Sequence, residues 1–138
     1  MKKLKIFFLI GAFFGFTAVA LGAFGAHGLE GNISDAALKT WEKAVKYQMF
    51  HTAALLVVAL LTARVHATSL TWAGWLFILG TVIFSGSLYI YASLGIRTFA
   101  MITPIGGVIF LIGWVLFGYA MLKVAEQAER ELKIDAAL

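Results

Sequence analysis

The sequence predicts an all-α integral membrane protein, a bundle of four transmembrane helices with an amphipathic interfacial helix between the first and the second. Two observations carry this prediction. Of the 138 residues, 62% are hydrophobic and 13% are charged, whereas soluble domains are about 45–50% apolar and about 25% charged. The charged residues also leave four long gaps, between Lys5 and Glu30, Lys46 and Arg64, Arg64 and Arg97, and Arg97 and Lys123.

Each gap is long enough for one spanning helix, because about 17–25 mostly apolar residues cross a hydrocarbon core of about 30 Å. The helices are predicted at about 5–26, 47–64, 70–92 and 99–122, in one membrane domain over 1–123. The connections near 64–69 and 93–98 are short, so helices two to four are antiparallel neighbours. A cleaved signal peptide is the alternative for the first helix, but its apolar run of about 21 residues exceeds the 7–15 of a secretory signal.

The connection from 28 to 46 has a helical pattern of its own. Leu38, Trp41 and Val45 recur at helical spacing with charged residues between them. We predict an interfacial helix at about 34–46, with Ser34 as its N-cap and Trp41 as an anchor at the depth of the lipid headgroups. A soluble flap is the alternative. Residues 124–138 carry charges of both signs and are predicted to form a solvated helical tail.

Lysine and arginine residues near the helix ends predict the orientation, because cytoplasmic loops are enriched in them. This bias predicts both termini in the cytoplasm. The same placement explains the net charge of +4 without a nucleic-acid partner. One face carries Lys2, Lys3, Lys5, Arg64, Lys123, Arg130 and Lys133, and the other carries Lys39, Lys43, Lys46 and Arg97.

Small residues recur on single faces of the predicted spans. In lipid, helices associate through close backbone approach, because burying apolar side chains against each other gains nothing over contact with lipid. These faces therefore predict helix packing, either within one chain or between copies in a homo-oligomer. The positions are Gly11, Gly15, Ala18, Gly22 and Gly25 in the first helix, Gly80 in the third, and Gly106 and Gly113 in the fourth.

Polar side chains within the spans gather in the half of the bundle next to the first loop. In antiparallel helices, the end of helix one, the start of helix two, the end of helix three and the start of helix four share one depth. The opposite half is almost purely apolar. We therefore predict a polar pocket in the outer-leaflet half, with the candidate ligand-binding residues His27, Gln48, His51, Ser85, Ser87, Tyr89 and Thr103.

The most informative of these residues also have structural interpretations. His51 lies about one turn inside helix two, where an ionisable side chain marks a functional site or is kept neutral by a hydroxyl or a backbone carbonyl. His27 precedes Gly28, which is typical of a left-handed helix cap, and a cationic histidine is favourable at a helix C-terminus. Pro104 either occupies the first turn of helix four or frees a carbonyl in the same polar zone.

Four motifs together resemble a known family. They are GAFGAHGL at 22–29, the run WEKAVKYQxxH from Trp41 to His51, FSGSLY at 84–89, and ITPIGG at 102–107 with the later GW at 113–114. They resemble the YgdD and YwdK family, also called domain of unknown function four-twenty-three, over about residues 5–122. The resemblance implies a small multi-pass protein of the bacterial plasma (inner) membrane and implies no activity. Its characteristic positions are His27, Trp41, Gln48, His51, Ser85, Ser87, Tyr89, Thr103, Pro104 and Gly107.

Three functions without catalysis follow from the sequence. The first is a binding module whose polar pocket holds a lipid headgroup or a small polar molecule. The second is a structural or assembly protein without a ligand. The third is a small transporter or oligomeric channel, which the apolar half disfavours. In each case the bilayer is the expected partner.

An enzyme is not expected, because the spans contain no Asp or Glu and the chain has no HExxH or GxSxG motif. No cofactor or metal is expected either. The chain has no cysteine, and two histidines are too few for a zinc site. A haem between His27 and His51 is geometrically conceivable but has no further support.

Overall fold

A computed structural model describes residues 2–136, and over these residues the chain forms four long helices. They are α1 (Lys2–Phe24), α2 (Asp35–Thr62), α3 (Thr68–Leu94) and α4 (Arg97–Asp135), and a π-helical segment (Gly25–Leu29) continues α1. α4 includes most of the charged segment predicted as a tail. All four helices are long and apolar enough to cross a membrane. The prediction of an all-helical protein with four such helices is confirmed.

The helices pack in chain order rather than as a closed ring. α3 lies between α2 and α4, α1 lies against α2, and α1 touches α3 only slightly. The start of α1 meets the connection between α2 and α3 around His66, and we name this side of the protein the His66 end. The π-helical segment, the start of α2 and the turn between α3 and α4 form the opposite side, which we name the His27 end.

The small-residue face of α1 lies against α2. A Cβ atom at Gly11 would lie 2.6 Å from Leu56 Cδ2, and one at Gly25 would lie 2.7 Å from the ring of Trp41. Ala18, on the same face, is 1% exposed. A side chain at Gly25 would therefore displace the Trp41 ring, whereas at Gly11 only the end of the flexible Leu56 side chain would have to move. The residues of α2 that face this stripe, in order along α1, are Leu56, Thr52, Val45 and Trp41.

Three glycine–phenylalanine pairs join α3 to α4. Gly80 and Gly113 each lie opposite a phenylalanine ring of the other helix, and phenylalanine and glycine alternate along the interface. The register of the antiparallel helices is constant, because a residue later in α3 pairs with one equally earlier in α4. At Gly106 the approach is to backbone: a Cβ atom there would lie 2.5 Å from the backbone nitrogen of Phe84. The pairs are Phe77 with Gly113, Gly80 with Phe110, and Phe84 with Gly106.

These two interfaces cover the predicted small-residue faces within a single chain. The sequence left open whether such faces join helices of one chain or two copies of a homo-oligomer. In the structure α1 uses its face on α2, and α3 and α4 use theirs on each other. A second copy would therefore have to dock on other surfaces.

Residues 34–46, predicted as a separate interfacial helix, form the first part of α2. Ser34 caps that helix as predicted, because its side chain accepts a hydrogen bond of 3.2 Å from the N–H of Ala37. Trp41 packs against α1 instead of projecting outward from the bundle. It is 5% exposed, and its Nε1 donates to the carbonyl of Leu21 at 2.8 Å. The apolar periodicity correctly marked a covered face, but that face is covered by protein.

The left-handed cap predicted at Gly28 is wrong. Gly28 lies in the π-helical segment, and the glycines with positive φ are Gly31 (φ 77°) and Gly95 (φ 68°). A Cβ atom at Gly28 would lie 2.7 Å from Phe24 Cε2. The glycine at this position therefore makes room for an aromatic ring, and the chain reverses at Gly31.

Candidate functional site

The polar residues in the His27 half do not form one pocket. They face different neighbours: Gln48 faces α1 and α3, the serines of α3 face α2 and α4, and His51 faces α4. Among residues 2–136, no buried side-chain nitrogen or oxygen lacks a hydrogen-bond partner. The predicted polar cluster is therefore divided into separate hydrogen-bonded sets between helices.

Gln48 joins three helices. Its Nε2 donates to the carbonyl of Phe14 at 2.9 Å and to Thr17 Oγ1 at 2.8 Å, both on α1. Its Oε1 accepts a hydrogen bond of 2.9 Å from the hydroxyl of Tyr89 on α3. The side chain is 4% exposed, and both amide hydrogens are used. Gln48 therefore has no free donor for a ligand.

Ser85 and Ser87 point to opposite neighbours, because residues two apart do not share a helix face. Ser85 Oγ donates to the carbonyl of Ala44 on α2 at 2.8 Å. Ser87 Oγ and Thr103 Oγ1, on α4, lie 2.7 Å apart and share a hydrogen bond. The Ser87–Thr103 pair continues the register of the glycine–phenylalanine pairs. Both serines thus hold α3 to its neighbours.

Two hydrogen bonds hold His51 as a neutral imidazole. Trp114 on α4 donates its Nε1–H to His51 Nε2 at 3.1 Å. Because an indole N–H can only donate, Nε2 is the acceptor and carries no proton. Nδ1 carries the proton and donates it to the carbonyl of Tyr47 at 2.8 Å. The imidazole also stacks on Phe110, with ring centroids 3.4 Å apart and an interplanar angle of 10°.

A cleft of about 680 Å³ lies between α2 and α4 beside His51. Two of its lining residues, Phe50 and Leu111, are 60% and 67% exposed, so the cleft opens on the lipid-facing surface. Lys46 also lines it, five residues before His51 and hence about 7.5 Å nearer the His27 end. The walls are mainly apolar and aromatic, and include Tyr47, Phe84, Val108, Phe110 and Trp114.

Other predicted residues lie apart from His51. His27 is exposed in the π-helical segment, and both ring nitrogens of His51 are already engaged, so the arrangement considered for haem is not formed. Pro104 lies inside α4, where its missing N–H leaves the carbonyl of Ala100 without its usual helical partner. Pro104 also lines the α2–α4 cleft.

Two residues that complete these contacts were not predicted. Thr17 accepts from Gln48 although it lies in the mainly apolar part of α1. Trp114 donates to His51 across the cleft. The sequence contains a signal for both residues. Thr17 is a lone hydroxyl within an apolar helix, and Trp114 brings an indole N–H into a span, and both groups need a hydrogen-bond partner there.

Comparisons with known proteins identify the family. The profile of a family described as "Protein of unknown function (DUF423)" matches residues 21–107. A UPF0382 membrane protein of Staphylococcus epidermidis is 49% identical over 122 residues, which cover 88% of this chain and 99% of that relative. The UPF0382 membrane protein YwdK of Bacillus subtilis is 47% identical over 121 residues, or 87% of this chain and 98% of the relative. This chain is a DUF423 protein.

Membership of the DUF423 family confirms the resemblance predicted from the four motifs. Its relatives are membrane proteins of bacteria, in agreement with four apolar helices. The matched segment contains Gln48, His51 and Thr103, whereas Trp114, the donor to His51, lies beyond residue 107. No solved structure matches the chain.

Proposed function

We propose that this DUF423 protein is a non-enzymatic protein of the bacterial plasma membrane whose α2–α4 cleft binds the acyl part of an anionic lipid, with the anionic group beside Lys46. The cleft itself carries the proposal: it has about 680 Å³, mainly apolar walls and a lysine in its lining. Ligand pockets in proteins occupy about 300–1,000 Å³ and are mostly apolar with a few polar groups.

An amphiphile suits this cleft better than the small polar molecule expected from the sequence. Of the seven candidate ligand-binding residues, His51 alone lines the cleft, and both of its ring nitrogens are engaged. The cleft therefore offers a ligand apolar surface along its walls and an ammonium group at Lys46. A lysine near a membrane surface contributes about 1 kcal/mol to the attraction of anionic lipid.

We place the membrane boundary of the His27 half near Lys46. The part of α2 before it carries Asp35, Lys39, Glu42 and Lys43, which suit the headgroup region, so this part takes the interfacial position. The distribution of lysine and arginine supports an orientation with the His27 end outside and both termini in the cytoplasm. The cleft then opens to the outer leaflet.

Single cysteines test this orientation, because the chain has none of its own. In intact cells a membrane-impermeant maleimide should label Lys39→Cys and leave His66→Cys unlabelled until the cells are opened. The reverse labelling pattern would invert the proposed orientation.

Gly107→Leu tests the proposed binding site. Gly107 lines the cleft, and a Cβ atom there would meet Phe84 ring carbons only at ordinary distances of 3.8–3.9 Å. Leucine should fill part of the cleft and change the free energy of unfolding by no more than about 0.5 kcal/mol. We expect less phosphatidylglycerol to be retained after purification from vesicles of phosphatidylglycerol and phosphatidylcholine, as measured by native mass spectrometry.

Gly118→Leu is the matched control on the same helix. Gly118 is exposed, and nothing lies within 4 Å of a Cβ atom placed there, so this variant should retain lipid as the wild type does. If Gly107→Leu and Gly118→Leu retain equal amounts of phosphatidylglycerol, the cleft is not the binding site.

A structural role without a ligand is the second candidate function. The hydrogen bonds between helices favour it, because the polar side chains of the His27 half are satisfied within the protein. Under this role, filling the cleft leaves lipid retention unchanged, while removal of the hydrogen bonds of Gln48 lowers stability. Lipid retention by Gly107→Leu separates the two functions, since removal of the Gln48 hydrogen bonds lowers stability under both.

A further inference from the structure

We propose that a second cavity, at the His66 end, binds the phosphate group of an anionic phospholipid from the leaflet on that side. The cavity has about 410 Å³ and lies between the start of α1, the end of α2 and the start of α3. It is at the opposite side of the protein from the α2–α4 cleft, and it does not depend on the function proposed for that cleft. Its polar lining consists of Lys3, Thr62, His66, Thr68 and Thr71.

The charge of this cavity favours an anion. Lys3 supplies an ammonium group and His66 an imidazole, and no acidic residue is part of the lining. Arg64, two residues before His66 and also exposed, adds positive charge to the same connection. Cavities lined by one sign of charge concentrate ions of the opposite sign.

The start of α3 adds neutral donors to these charges. Thr68 and Thr71 bring two hydroxyls from the first turn. Ala67 occupies the N-cap position, and no side chain caps the helix there. The first N–H groups of a helix have no partner within it and favour an anion. Ammonium, hydroxyl and backbone N–H donors together suit the oxygens of a phosphate.

The depth of the cavity identifies the source of that phosphate. Trp72 and Trp75 follow in the first two turns of α3, and they are 58% and 37% exposed. Exposed tryptophans are enriched at the membrane–water interface. The cavity therefore lies at the level of the headgroups, where a phospholipid presents its phosphate and its acyl chains can run beside Trp72.

The test compares the retention of phosphatidylglycerol and phosphatidylcholine by purified full-length protein in mixed micelles, measured by native mass spectrometry. Gly107→Leu serves as the background, so that the α2–α4 cleft contributes as little as possible. We expect Lys3→Gln to lower the preference for phosphatidylglycerol about fivefold, since one basic side chain near the surface contributes an effect of that size. Thr71→Val should lower it by a smaller factor.

Lys39→Gln is the matched control, because Lys39 is an exposed lysine at the His27 end. It should leave the preference unchanged, and all variants should keep the helical circular dichroism of the background protein. An equal preference in Lys3→Gln and Lys39→Gln overturns the proposal.

Inorganic phosphate forms the second arm of the experiment. If it raises the melting temperature of the background protein but not that of Lys3→Gln, and phosphatidylglycerol shows no advantage over phosphatidylcholine, the cavity binds free phosphate and the lipid proposal is overturned. If phosphatidylglycerol is preferred and inorganic phosphate only competes weakly with it, the lipid proposal is supported.

Discussion

α4 meets its two neighbouring helices in opposite ways. Toward α3 it presents Gly113 under the ring of Phe77 and Gly106 against the backbone of Phe84. Toward α2 it leaves a cleft of about 680 Å³, bridged by the hydrogen bond from Trp114 to His51. One helix thus forms a dense interface on one face and an open one on the other.

Gly106 and Gly107 are adjacent in sequence but lie on different faces of α4. Gly106 permits backbone contact with α3, whereas Gly107 lines the cleft and has ordinary space around it. A small residue in a membrane helix therefore indicates close packing only on a face that meets another helix. On a face that meets a cleft, the same residue widens the cleft.

Gly106→Ala should have the largest effect on stability, because it disrupts the dense interface between α3 and α4. Its Cβ atom would lie 2.5 Å from the backbone nitrogen of Phe84, and neither backbone can move without separating the helices. We expect a loss of about 1–3 kcal/mol or more in the free energy of unfolding, followed by circular dichroism in detergent. Gly107→Ala is the control and should match the wild type. Equal stability of the two variants would contradict the contrast between the two faces of α4.

Gln48→Leu should have an intermediate effect. It removes three hydrogen bonds, two to α1 and one from Tyr89, and hydrogen bonds between membrane helices contribute about 0.6 kcal/mol each. We expect a loss of about 1–2 kcal/mol in thermal or denaturant unfolding. Tyr89→Phe removes one of the three and should cost about a third as much. A Gln48→Leu variant as stable as the wild type would show that these hydrogen bonds do not hold the helices.

Trp114→Phe should have the smallest effect on stability, because a phenylalanine ring can keep packing against Phe77. It keeps an aromatic ring and removes the donor to His51, at a cost of about 0.6 kcal/mol. The clearer readout is nitrogen-15 NMR of His51, which should show the Nδ1–H tautomer in the wild type and a mixture in the variant. A wild-type spectrum with the proton on Nε2 would refute the assigned hydrogen bond.

The sequence predicted the four long helices and the end of the bundle toward which each polar residue lies. Charge-free lengths predicted four spans, and the rise per residue placed Gln48, His51 and Ser85 in the same half of the bundle. Small-residue spacing also marked the faces that pack, among them Gly11 and Gly25 on α1.

What the sequence did not supply was the direction in which each polar residue points in the assembled bundle. Depth depends on position along one helix, whereas a shared pocket depends on which helices are neighbours and how each is rotated. The prediction placed Ser85 and Ser87 in one pocket, although residues two apart do not share a helix face, and the structure directs them to α2 and α4. The short connections correctly predicted α3 beside both α2 and α4, but the rotation of each helix about its axis is set by contacts between distant residues.

The alternation of rings and gaps between α3 and α4 also restricts how the protein can move. A slide of one helix along the other by one turn, about 5.4 Å, would bring phenylalanine against phenylalanine and leave glycine opposite glycine. Piston-like displacement of α4 would therefore separate the rings from the glycines that accommodate them. Tilting of α2 would change the space beside His51 while leaving these contacts between α3 and α4 intact.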